Sequence, residues 1–239
     1  MEAGPVRPRE FARHEEHIIV GSLRAVNVCF SRIYHHLRVA TPCTLPRRGP
    51  AILVSNHISA LDPVMIQSAC PRLIRWMMAA EYYNQKSLRW LLDSVGTIPV
   101  ERSGRDMAAT RAALRALEMG YVVGVFAEGR IETTPELIPF QQGIVLLAAR
   151  SEAPICPAYI EGSQRNRDML PAYLSPQRAT LRFGPTLKLH HDDAHRDKID
   201  GAAARIQAAV ETLRLAHLRS DYPQVIPRLS TGSRLNTVL

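Results

Sequence analysis

Apolar positions divide this chain into helix-like and strand-like stretches that alternate along most of its length. Between residues 17 and 38, Ile19, Leu23, Val26, Phe30, Ile33 and Leu37 recur at steps of three and four, which sets them on one helical face. Pro42 and the run Pro46-Arg47-Arg48-Gly49-Pro50 break that helix. A continuous apolar run then begins at Ala51, has the length of a strand, and ends in small and polar residues. His57 is therefore expected at the rim of a buried sheet.

Beyond Pro63, Val64, Met65, Ile66 and Ala69 suit a short helix, stopped by Cys70-Pro71. Residues 73–79 read as a strand, although Met77 and Met78 would also suit a helix. A helix over 87–94 and a short strand over 97–100 follow. An Ala- and Leu-rich helix over 107–119 is closed by Gly120. Residues 121–126 form a buried strand, Phe140 and Gly143 introduce a helix through Arg150, and 155–160 form the next strand. Residues 178–183 alternate like a more exposed strand, and 198–219 carry a helical stripe of Ile206, Val210, Leu213 and Leu218. Strands alternating with helices predict an α/β fold: a single domain with a largely parallel central sheet flanked by helices, plus an N-terminal amphipathic helix. The expected organisation is a loosely attached segment at 1–16, a membrane-proximal helix at 17–40, the main domain at 41–219 and a flexible tail at 220–239.

Charge adds a partner class. The formal net charge of +8 over 239 residues favours polyanions, whether nucleic acid, an anionic membrane surface or phosphorylated small molecules. The basic residues are scattered and no RNA-binding aromatic signature is present, so nucleic acid is not expected. Arg24, Arg32, His35, His36 and Arg38 make the polar side of the first helix basic; its apolar face suits either an anionic lipid surface or the protein core. No run approaches the roughly 18 apolar residues of a membrane span. The start of the chain does not read as a secretory signal, which points to a peripheral place on the cytoplasmic face of the membrane. Cys29, Cys43, Cys70 and Cys156 are far apart and read as reduced packing residues. No metal is expected: the stretch from His190 to His195 lacks a zinc pattern and reads as a solvated loop, and His14 to His17 lies at a mobile start. No P-loop or Gly-x-Gly-x-x-Gly turn occurs.

Candidate chemistry gathers at strand ends. His57 can take a proton near neutral pH, and Asp62 can fix its tautomer and stabilise the imidazolium. The plainer reading has Asn56 capping the turn and Asp62-Pro63 starting a helix. Two further strand ends present Arg102 and Glu128-Gly129-Arg130. Parallel strands would bring all three ends to one edge, where a guanidinium suits a phosphate. Arg102 could instead pair with Glu101 or Glu118, and Glu128-Gly129 could be only a turn.

Asn56-His57 with Asp62, the block Gly96 to Arg102, the block Phe126 to Arg130, and the block Ala153 to Pro157 together resemble, in order, the four blocks of the glycerolipid acyltransferases. The nearest type looks like the bacterial 1-acylglycerol-3-phosphate acyltransferases, and the resemblance runs from about Leu45 to Glu161, including Pro139-Phe140 and Gly143. It implies an acyl thioester donor, acyl-CoA or acyl carrier protein, and as acceptor the free hydroxyl of a lysophosphatidate-like glycerolipid. It implies His57 as general base with Asp62 as its partner, and Arg102 on the acceptor phosphate. Glu128 and Gly129 would shape the acceptor pocket, with Asn56 and Arg130 also on the substrate side, and Pro154 and Pro157 would give structural support or line the acyl chain. The block from Phe126 departs from the family twice: Ala127 stands where Pro is usual, and Arg130-Ile131 replaces the commoner Thr-Arg pair. Direct attack on a thioester needs no cofactor and no nucleophilic side chain, so Ser59 and Cys70 are not expected to act covalently, and no Gly-x-Ser-x-Gly elbow occurs. Developing charge on the carbonyl oxygen needs nearby amide donors, and the backbone around Gly129 is one candidate. Two other classes remain: a basic peripheral-membrane lipid-binding protein that keeps the fold without turnover, and a thioester hydrolase using the same site.

Overall fold

The apolar run at residues 51–55 is buried on both sides, which a strand achieves only inside a sheet covered on both faces. The computed structural model of the protein describes residues 22–101, 106–131, 136–163 and 169–221. Among these, β1 (Arg38–Val39), β2 (Ala51–Ser55), β3 (Ile74–Ala79), β4 (Ile98–Val100), β5 (Val122–Phe126), β6 (Ile155–Glu161) and β7 (Thr180–Phe183) form one sheet in the order β1-β7-β6-β2-β5-β3-β4. All neighbouring pairs are parallel except β6 and β7. Ser55, the last residue of β2, lies opposite Phe126, the last residue of β5, and opposite Ala158 of β6, which runs on past them to Glu161.

Alternation along β2 separates two cores. Ile52 and Val54 face helices α5 (Met107–Glu118), α6 (Gln142–Ser151) and α8 (Ile199–Asp221), whereas Ala51 and Leu53 face α2 (Asp62–Ala69) and α7 (Met169–Leu174). The fold is thus a single α/β domain with helices on both faces of a mostly parallel sheet. Two more helices, α3 (Ala80–Tyr83) and α4 (Lys86–Ser94), connect β3 to β4. Within β5, Gly124 leaves space that Trp76 fills: a Cβ there would meet the Trp76 ring and Ile74 at 2.5 Å.

Several elements differ from the sequence expectation. The first helix, α1, occupies residues 22–29, continues as a π-helical turn over Phe30–Tyr34, and is over before Arg38. The Arg38 N–H donates to the Ala179 carbonyl and that of Ala40 to the Leu181 carbonyl, which makes this segment strand β1 rather than a helix end. β7 is not an exposed strand: it lies between β1 and β6, and Leu181 and Phe183 pack into the core on the α2 and α7 face. The stretch 73–79 keeps its expected strand through the Met-rich positions 77–78, which pair with β4. The His190–His195 stretch contains a 3-10 turn over His191–Ala194. Residues 1–21, which include the start of the expected first helix, and the tail after 221 lie outside the described residues.

Candidate active site

Past the end of β2 the chain turns sharply, and two carboxylates gather the amides of the turn. Asp62, wholly buried, accepts at Oδ2 from the N–H groups of Ile58 and Ser59, each at 2.8 Å, and from His57 Nδ1 at 3.0 Å. Its Oδ1 accepts from the Ser163 hydroxyl at 2.8 Å. Glu128, also buried, accepts the His57 N–H at 2.9 Å and the Ile138 N–H at 3.4 Å. Three successive backbone donors, at 57, 58 and 59, are thereby satisfied by side chains.

Asp62 opens α2 with Pro63 behind it, but its carboxylate turns back to the loop instead of capping the helix. Ionised, it can only accept, so the hydrogen on His57 belongs on Nδ1 and Nε2 carries the lone pair. The neighbouring Tyr173 hydroxyl is pushed up to about 12, first by burial and then by the negative charge of Asp62. The imidazole lies flat on Phe126, ring centroids 3.8 Å apart at 11°, and Phe126 lies on Trp76 at 4.6 Å and 8°. Its side chain is 15% exposed, on the wall of an open cavity of about 2420 Å³.

That cavity is also lined by Trp76, Phe126, Gly129 and Ile131, and on another side by Val26 and Phe30 of α1. Asn56 does not face it: the side chain is buried, with Nδ2 donating to the Ile160 carbonyl and Oδ1 accepting the Ile160 N–H, both at 2.9 Å. It ties the end of β2 to β6. The Gly129 N–H is taken by the Phe126 carbonyl at 3.0 Å, so that one amide of the stretch is already engaged. Arg130 is exposed beside the cavity wall, and Arg102 lies outside the described residues, two positions past the end of β4. Ser59 is buried with its hydroxyl accepting from the Leu61 N–H, and Cys70 is buried at the opposite end of α2 from Asp62.

Among the described residues no group of three or more His, Cys, Asp or Glu side chains is arranged to hold a metal ion. Asp193, in the His190–His195 stretch, accepts from the His190 N–H and from Arg205.

The four-block order meets an independent finding in the family comparison: the Acyltransferase family model matches residues 36–161, just over half of the chain. The chain belongs to the acyltransferase family. Within that family it is 24% identical over 126 residues to a Bacillus subtilis 1-acyl-sn-glycerol-3-phosphate acyltransferase, covering 52% of this chain and 62% of that protein. A protein of the same name from Limnanthes douglasii is 28% identical over 153 residues, covering 63% and 54%. The chain therefore spans less than two thirds of the length of these acyltransferases. The crystal structure of the Thermotoga maritima 1-acyl-sn-glycerophosphate (LPA) acyltransferase PlsC superposes with a TM-score of 0.65 at 18% identity, covering 87% of this chain and 84% of that one. At that identity the likeness establishes the shared fold.

Two features of the site were not read from the sequence. Ser163 lies in no quoted block, but the signal was available: Gly162-Ser163 follows a strand that ends at the same edge as β2. The ring stack under His57 depends on β3 and β5 being neighbours, which no local pattern reveals.

Proposed function

We propose that this protein transfers a fatty acyl group from an acyl thioester, carried on coenzyme A or acyl carrier protein, to the free hydroxyl of a lysophosphatidate-like glycerolipid at a membrane surface. The observation that carries this reading is the His57 to Asp62 contact on the wall of an open, mainly apolar cavity. In the step we envisage, Nε2 takes the acceptor's hydroxyl proton as its oxygen attacks the thioester carbonyl carbon. Buried Asp62 stabilises the imidazolium, and collapse of the tetrahedral intermediate expels the thiol sulfur, which recovers the proton. The reaction so written uses no cofactor. Arg102 is assigned to the acceptor phosphate, because it follows a strand that ends at the catalytic edge of the sheet. Glu128 acts through the His57 backbone and shapes the loop from below.

Docking to lipid is supported by α1 and its neighbour. Leu23, Val26, Ile33 and Tyr34 are 48%, 67%, 70% and 40% exposed, and Leu174 beside them is 64% exposed, with Arg24 and Arg32 on the same helical segment. No helix among the described residues is long and apolar enough to cross a membrane. The same face favours the second reading, a lipid-binding protein without turnover. Incubation of the protein with mixed acyl donors and lysolipids on vesicles, followed by mass analysis, decides between them. Acylated lysophosphatidate is expected, with a loss of about 10²- to 10⁴-fold in His57→Ala. Vesicle binding without product, or a His57→Ala variant of undiminished turnover, sinks the enzyme reading; donor cleavage without acceptor indicates hydrolysis.

A further inference from the structure

We propose that Ser163 is a positioning residue for the catalytic pair, holding the carboxylate plane of Asp62 so that His57 keeps its working orientation. The inference deepens the acyl-transfer reading and rests on it for its kinetic consequence. Asp62 Oδ2 already receives three donors, so it is fixed as a point, but a carboxylate held at one oxygen can still swing its other oxygen about that point. The second oxygen receives the Ser163 hydroxyl at 2.8 Å. Ser163 is 4% exposed and Asp62 0%, so bulk water has no access to replace that bond.

Ser163 reaches this place because of how β6 ends. Asn56 grips both the N–H and the carbonyl of Ile160, locking β6 against the residue just before His57. Two residues later Gly162 turns the chain with φ of +86°, where a Cβ would stand 2.3 Å from the Arg178 carbonyl oxygen. Only glycine fits such a turn, and it delivers the next side chain inward to Asp62. A serine that merely filled a buried site would not need so constrained an approach, nor would it meet the one carboxylate oxygen left open by the loop.

The test compares Ser163→Ala with the unaltered protein, using an acyl-CoA donor and lysophosphatidate on vesicles, together with proton NMR of the His57 Nδ1–H resonance. Loss of a buried bond to a charged acceptor is expected to lower kcat about 5- to 30-fold, with both KM values within about twofold. In a His57→Ala background the same change is expected to cost less than about twofold, because the two act as a unit. The downfield Nδ1–H signal is expected to move or broaden. A kcat within twofold of the unaltered protein, an equal loss in the His57→Ala background, or an unmoved Nδ1–H signal each overturns the proposal. If Ser163→Ala does not fold, Ser163→Cys replaces it, a near-isosteric change to a weak donor judged by the same criteria. Absence of transfer by the unaltered protein refutes the acyl-transfer reading instead; the NMR comparison then decides alone whether Ser163 holds Asp62.

Discussion

Asp62 is the residue on which the candidate site converges, and its four bonds separate two duties that its position near a helix start conflates. One duty is structural, since the amides of residues 58 and 59 have no other acceptor in that turn. The other belongs to the proposed transfer, since Oδ2 lies 3.0 Å from Nδ1 and orients the ring. Asp62→Asn preserves shape and one oxygen acceptor while removing the charge. Its expected result is a native circular dichroism spectrum with kcat reduced about 10²- to 10⁴-fold. At this scale the sequence was half legible. Five-residue spacing suggested that His57 and Asp62 could meet, because a tight turn is a local matter. Ser163 is 101 positions from Asp62, and Asn56 looked like a turn cap because its true partner, Ile160, is equally remote.

Among the elements, α5 shows how a cap is set and how it responds to pH. Asp106 accepts from the Ala109 N–H at 2.9 Å as N-cap and from the Glu101 N–H at 2.8 Å, tying the helix start to the end of β4. Those backbone donors, first Glu101 and then Ala109, hold its carboxyl below the usual range. With the folded pKa depressed, the contribution is complete above the unfolded value of about 3.9 and is lost as pH falls through the folded one. Asp106→Ala should therefore cost about 1 kcal/mol near pH 7 in denaturant melts. The gap should narrow below about pH 4. Boundaries of the long elements followed from their periodicity and stop signals, as with Gly120 after α5. The four-residue α3 and the six-residue α7 were missed because neither is long enough to show a period. β1 was missed because its pairing with β7 overrides the helical stripe that ends at Leu37.

On the scale of the whole molecule, the alternation of strands and helices made the parallel sheet legible, whereas the order of its strands was not, since neighbours such as β2 and β6 are far apart in sequence. The exposed side of α1 gives this scale its own prediction. Replacing Ile33 and its exposed neighbour Leu174 together by Glu, neither of which lines the cavity, should weaken partition onto anionic vesicles at least about tenfold in a sedimentation assay, and binding of the unaltered protein should fall with added salt. Turnover of a water-soluble, short-chain acceptor should be spared by the same double change. The wall that Val26 and Phe30 of α1 give to the cavity beside His57 carries one further consequence for the proposed transfer. If that helix rests in the lipid, a greasy acceptor can slide sideways from the leaflet to the imidazole without ever being wetted, while the thioester carrier arrives from the water. The two reactants then travel by separate doors, and saturating one should leave the arrival of the other unhindered.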